Sequence, residues 1–173
     1  MRRETLRLRL VMQEVTIRSA LPEDWAAVAG LLVELGRGVA KGTADDTTHA
    51  MQFAGHLRSL EVVTLVAELS GRVVGAIDME YHQRLGDHRP QARVNDLVVT
   101  EAVRGGGIGE ALLSRAEELA RKRGCFRMAL VTAGWREQTH SFYVKSGWSD
   151  YGKWFVKPLT DDVHPSGQPL DDT

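Results

Sequence analysis

The sequence predicts a single α/β (α+β) domain, and three observations carry that expectation. A β-branched segment, Val94 to Val99, leads through Gly105-Gly106-Gly107 into a long helical pattern. Two strand-like runs, Val62 to Leu69 and Arg72 to Tyr81, meet at Ser70-Gly71, a hairpin signal. Strand and helix patterns follow the order β-α-α-β-β-β-α-β-α-β-β, which gives one sheet of about six or seven strands with about four helices.

Each element has its own local reason. Glu14 to Arg18 alternates as a strand. Pro22, with Glu23 and Asp24 behind it, opens a helix that runs to about Leu35, where Gly36, Gly38 and Gly42 break it. Asp45 or Asp46 caps a second helix, which carries Met51, Phe53, Ala54 and Leu57 through to Leu60. After the hairpin, His82 to Pro90 is a polar loop, and Arg93 to Val99 forms the next strand. The third helix shows Ala111, Leu112, Leu113, Ala116, Leu119 and Ala120 at helical spacing, with charged residues opposite. Phe126 to Thr132 reads as a strand, and a short helix from Glu137 ends at Gly147 as its C′ residue. Trp148 to Tyr151 and Lys153 to Lys157 flank Gly152 as a closing hairpin. Residues 1–13 form an N-terminal extension, 14–159 the domain and 160–173 a polar tail rich in Asp, Pro and Gly.

Composition excludes several classes. A chain of 173 residues suits one domain with a sizeable core. A net charge of −1 argues against nucleic-acid binding as the main task. No apolar run approaches the ~18 residues of a membrane span, and the alternating Leu and Arg of residues 6–10 lack a signal peptide's apolar core. A single cysteine, Cys125, rules out an internal disulfide framework and fits the reducing cytoplasm. The six histidines show no metal-ligand spacing, so no metal is expected.

The segment Arg104-Gly105-Gly106-Gly107-Ile108-Gly109-Glu110 carries the chemistry. A strand, a glycine loop and a helix aim unpaired N–H groups and the positive end of the helix dipole at one point. Glycine permits close approach of a bulky anion, and Arg104 adds a charged fork suited to phosphate. Spacing decides which diphosphate is expected. Counting from Gly105 puts Glu110 where a dinucleotide fingerprint needs its third glycine, and no lysine follows as a Walker loop requires. The pattern that fits is [RQ]-x-x-G-x-[GA], carried by Arg104, Gly107 and Gly109. Together with Phe142-Tyr143 and Gly147-Trp148 further on, it resembles the acetyl-coenzyme A signature of the GNAT superfamily of N-acetyltransferases.

That resemblance runs from Val15 to Leu159 and is strongest from Val94 to Trp148. It implies a central, mixed, mostly antiparallel twisted sheet with helices on both faces, and acetyl-CoA as cosubstrate. It implies that the strand before the glycine loop splays from its neighbour, so that main-chain groups of Leu97, Val98 and Val99 pair with the pantetheine arm. Within that strand the N–H of Val98 is the expected donor to the thioester carbonyl. Tyr143 matches the general-acid position; a phenol of pKa ~10 stays protonated near neutrality, although a tyrosine packed beside Phe142 reads the same way in sequence.

The base is open. Where relatives carry a carboxylate or histidine near positions 93 and 95, this chain has Arg93 and Asn95. Asn95 is a candidate to position a relaying water. Asp96 is either that relay's base or a structural partner; strict alternation places it on the face opposite Arg93 and Asn95. Arg136 stands where the family often has Asn and is a candidate cofactor contact. The expected function is transfer of an acetyl group to a primary amine of a small molecule by direct attack in a ternary complex. A protein or peptide N-acetyltransferase and a catalytically silent acyl-CoA-binding module are the alternatives. The ending from Ser141 to Leu159 resembles small members that act on small amines, including aminoalkylphosphonate N-acetyltransferases. The closing hairpin and the N-terminal extension are candidate surfaces for a homodimer.

Overall fold

A computed structural model describes residues 15–36, 47–132, 134, 136–152, 155, 157 and 159. The expected N-terminal extension, the helix caps at Asp45 and Asp46, the polar tail and part of the closing hairpin lie outside these residues.

Five strands form one sheet in sequence order: β1 (Val15–Ser19), β2 (Val62–Leu69), β3 (Arg72–His82), β4 (Gln91–Val99) and β5 (Met128–Leu130). The first four pair antiparallel, and β5 joins β4 in parallel, so the sheet is mixed and mostly antiparallel. Four helices complete the domain: α1 (Trp25–Glu34), α2 (Thr47–His56), α3 (Ile108–Lys122) and α4 (Glu137–Lys145).

Each face of the sheet has its own apolar layer. Leu65, Ile77, Met79 and Val94 meet Ile108, Leu112, Leu113 and Ala116 of α3, with Phe142 and Tyr143 of α4 packed at the margin. On the other face Val66, Ala76 and Val98 meet Val28, Leu31 and Phe53 from α1 and α2. Gly75 explains how tightly α3 seats: a Cβ there would lie 3.2 Å from Leu112 Cδ1 and 3.1 Å from the Val98 carbonyl oxygen. The β2–β3 hairpin turns on Ser70 and Gly71 with φ of 50° and 75°, the paired positive dihedrals that a two-residue hairpin turn needs.

Several boundaries differ from the sequence expectation. Pro22–Asp24 forms a 3-10 turn, so α1 starts only at Trp25. The second helix stops at His56 rather than Leu60. β5 spans three residues rather than seven, because its pairing with β4 ends at Val94 and Leu130. Among the described residues the sheet therefore has five strands instead of six or seven, and Trp148 to Gly152 form none. No helix among the described residues is long and apolar enough to cross a membrane.

Candidate active site

Pairing of β4 with the edge strand β5 stops after three residues, and a wedge opens beside the rest of β4. Ala92, Arg93 and Val94 pair with Met128, Ala129 and Leu130, and beyond them β4 continues to Val99 with no partner on that side among the described residues. Register decides which main-chain groups face the opening. Thr100 donates its N–H to the Val74 carbonyl on β3. Alternation then turns the main-chain groups of Val98 toward β3 as well, and those of Leu97 and Val99 toward the open edge. The Val99 carbonyl accepts Arg104 Nε at 2.8 Å from that side. The expected role of the Val98 N–H is thus at odds with the register; Leu97 and Val99 are the residues with main chain to offer. Thr132, just past β5, has a buried Oγ1 with no hydrogen-bond partner among the described residues.

The glycine turn sits at the end of the same strand. Gly105 and Gly107 hold φ of 78° and 80°, in the left-handed region that other residues enter at a cost of about 1 kcal/mol or more. Gly107 is the N-cap of α3, and no side chain caps that helix. The first-turn N–H groups of Ile108, Gly109 and Glu110 are left for water or an anion. Ile108 anchors the turn, with 1% of its surface exposed. Arg104 flanks the turn, its Nη2 3.9 Å from Glu34 of α1. Glu34 also accepts from Thr100 Oγ1 at 2.9 Å and from the Glu101 N–H at 3.2 Å, tying α1 to the end of β4.

Tyr143 lies on α4 between two aromatic neighbours, with its ring centroid 5.2 Å from that of Phe142 and 5.8 Å from that of Trp148. Burial pushes its phenol above the ordinary value, against a smaller downward pull from Arg136. It therefore keeps its proton well past neutrality. Phe142 reaches the glycine turn: a Cβ on Gly109 would lie 3.6 Å from Phe142 Cζ. The tyrosine helix and the glycine turn thereby meet at Phe142, the neighbour of Tyr143.

Arg136, the expected cofactor contact, is the N-cap residue of α4. Its Nη2 donates to the Leu35 carbonyl at the C-terminal end of α1, at 2.8 Å.

The sheet face that meets α1 and α2 holds a polar cluster that the strand pattern alone does not reveal. The β3–β4 register slips by one between Asp78 and Met79, so Asp78 pairs with Asp96, Met79 with Val94, and Asn95 is the inserted residue. Alternation fails across such a bulge. Arg93, paired with Glu80, and Asp96, paired with Asp78, consequently share one face, which corrects the opposite placement expected from strict alternation. Asn95 joins the two strands through its side chain, donating Nδ2 to Asp78 Oδ2 at 3.1 Å and accepting Arg93 Nε at 3.2 Å. Asp78 is the hub. Its Oδ1 also accepts Thr64 Oγ1 at 2.7 Å and lies 2.8 Å from His56 Nε2 at the end of α2. Neither Asp78 nor His56 stands out in the sequence. The signal that would have found Asp78 is the one that singles out Asp96, an ionisable group in an apolar strand.

Comparison with known proteins gives a consistent result. Residues 28–148 match the family model described as the acetyltransferase (GNAT) family. The aminoalkylphosphonate N-acetyltransferase of Salmonella typhimurium is 32% identical over 149 residues, covering 86% of this chain and 94% of the relative. The IAA acetyltransferase of Azospirillum brasilense is 32% identical over 144 residues, covering 82% and 88%. Among solved structures, a transcriptional regulator from Bacillus halodurans C-125 superposes with a TM-score of 0.77 at 24% identity, over 84% of this chain and 99% of that one, a likeness of fold.

Proposed function

The chain belongs to the GNAT acetyltransferase family, and from that premise we propose that it transfers the acetyl group of acetyl-coenzyme A to the primary amine of a small molecule. The observation that carries this reading is the coincidence, on one strand, of an open main-chain edge at Leu97 and Val99 with an uncapped helix N-terminus behind Gly107. The two features suit the two ends of one long cosubstrate: an amide-bearing arm that pairs as a strand would, and a diphosphate that accepts N–H donors.

Acetyl-coenzyme A brings an acetyl group already activated as a thioester. Leu97 and Val99 hold the arm along the open edge, and the N–H groups of Ile108, Gly109 and Glu110 hold the diphosphate, with Arg104 beside them. Holding donor and acceptor in one complex makes direct attack effectively unimolecular. Tyr143 gives a proton to the departing sulfur, a task suited to a phenol that burial keeps protonated. Asn95 sits in the bulge at the mouth of the wedge, where it orders the acceptor side through Asp78 and Arg93.

Support for the acceptor class comes from a relative similar over most of its length, whose name specifies an aminoalkylphosphonate. A compact amine carrying its own anion is accordingly the favoured substrate. A thiol-release assay with acetyl-coenzyme A over a panel of primary amines, with aminoalkylphosphonates included, tests the reading. Turnover confined to peptide substrates, or calorimetric binding of acetyl-coenzyme A without turnover of any amine, would count against it.

A further inference from the structure

We propose that His56, oriented by Asp78, is the group that takes the proton from the acceptor amine. The proposal rests on the acetyl-transfer reading above and names the base that the sequence leaves open.

The tautomer follows from the contact. Asp78 already accepts Thr64 Oγ1 and Asn95 Nδ2, so its carboxylate is fixed as an acceptor, and His56 Nε2 at 2.8 Å must carry the hydrogen. That leaves the lone pair on Nδ1 as the basic site. Exposure separates the two roles: the His56 side chain is 40% exposed and reachable, whereas that of Asp78 is 17% exposed and held by three partners. His56 acts on the substrate, and Asp78 is a positioning residue. Location agrees. Asn95 is the bulged residue immediately beyond the last β4–β5 pair, so its hydrogen bond to Asp78 sets the dyad one side chain from the mouth of the wedge.

The step balances without an added reactant. The amine nitrogen loses a proton to His56 Nδ1, and its lone pair forms the new C–N bond as the C–S bond breaks. The sulfur takes its proton from Tyr143, and solvent exchange returns both side chains to their starting forms. Asp78 Oδ1 is bonded to the ring. The other charged groups on that face of β3 and β4 are Glu80, which pairs with Arg93 at 2.8 Å, and Asp96, while His49 lies on the same helix as His56.

The test is a pH profile of kcat/KM for acetyl transfer to a primary aminoalkylphosphonate and to a primary-amine panel, for wild type, His56→Gln and Asp78→Asn. His56→Gln keeps a donor for Asp78 but cannot accept a proton. We expect it to lose about 100-fold in kcat/KM near neutrality and to flatten the acid limb, with the calorimetric Kd for acetyl-coenzyme A unchanged. Asp78→Asn is expected to lower kcat by about 10-fold or more, more than it changes KM, because the ring loses the carboxylate that orients it. Wild-type kcat/KM with an unshifted limb in His56→Gln overturns the dyad and leaves the acetyl-transfer reading standing. Absence of turnover by the wild type overturns that reading, and the dyad falls with it.

Discussion

Arg136 donates through Nη2 to the Leu35 carbonyl at 2.8 Å, joining the start of α4 to the end of α1. A cation at a helix C-terminus satisfies an orphan carbonyl and meets the negative end of the dipole. Arg136→Ala is expected to lower the unfolding free energy by about 1–2 kcal/mol while the Kd for acetyl-coenzyme A stays within about two-fold. Denaturant melts and calorimetry read the two effects separately. A large loss of cofactor affinity with unchanged stability would instead make Arg136 the cofactor contact its sequence position suggests.

Tyr143 gives the second expectation. Burial raises its phenol above 10.0, and Arg136 opposes that only in part. Its proton is therefore retained through the neutral range, and the fall in activity caused by its ionisation belongs above pH 10. Tyr143→Phe keeps the aromatic packing against Phe142 and Trp148 but removes the proton, so kcat should drop about 100-fold with little change in melting temperature. Single-turnover acetyl transfer measures it under conditions where chemistry limits.

Much of this is legible in the sequence, and the reasons differ by residue. The unit from Val94 to Ala120 is local: β-branched strand, glycines with positive φ and an amphipathic helix each leave a mark within a few positions. The Ser70-Gly71 turn is equally local. Asn95 shows where legibility ends. One inserted residue in β4 cancels the period-two rule, and with it the inferred face of Asp96. The His56–Asp78 contact spans 22 residues and two elements, and no periodicity encodes it. The tie between Arg136 and Leu35 spans 101 residues and was hidden for the same reason. The direction of the Val98 main chain needed the register of one hydrogen bond, Thr100 to Val74.

Arg18 and Asp24 supply an expectation about acid stability. Arg18 Nη1 lies 2.6 Å from Asp24 Oδ2 and Nη2 lies 2.9 Å from Oδ1, a two-pronged pair with Asp24 only 7% exposed. The hydrogen bonds from Arg18 hold the Asp24 carboxyl below its ordinary range, outweighing burial, and the Leu21 N–H adds to the effect. A carboxylate whose folded pKa is depressed adds stability above its unfolded value near ~3.9, and loses it as pH falls through the folded value. Asp24→Asn should cost about 2 kcal/mol at neutral pH, and the gap from wild type should close as the pH drops below ~4. Urea melts across that range measure the difference.

Gly109 separates a ligand seat from an ordinary helix start. It lies in the first turn of α3, where glycine is less favourable than alanine by about 0.8–1.0 kcal/mol at an interior position. A Cβ there would meet Phe142 Cζ at 3.6 Å and Val99 Cγ2 at 3.8 Å, both ordinary contacts, and its φ is not positive. Folding alone gives no reason for glycine at this position. A small residue there leaves the first-turn N–H groups open to a diphosphate, and the signature's last position takes glycine or alanine. Gly109→Ala should therefore melt at or above the wild-type temperature with its affinity for acetyl-coenzyme A kept, whereas Gly109→Glu, which sets a carboxylate at the same N–H groups, should bind at least ten-fold more weakly, a loss of about 1.4 kcal/mol. Gly105→Ala is the counterpart: its φ of 78° makes a Cβ costly although the space around it is open, so stability should fall by about 1 kcal/mol. Unchanged affinity in Gly109→Glu would mean that no anion approaches this turn, and the assignment of the α3 N-terminus as the diphosphate seat would have to be withdrawn.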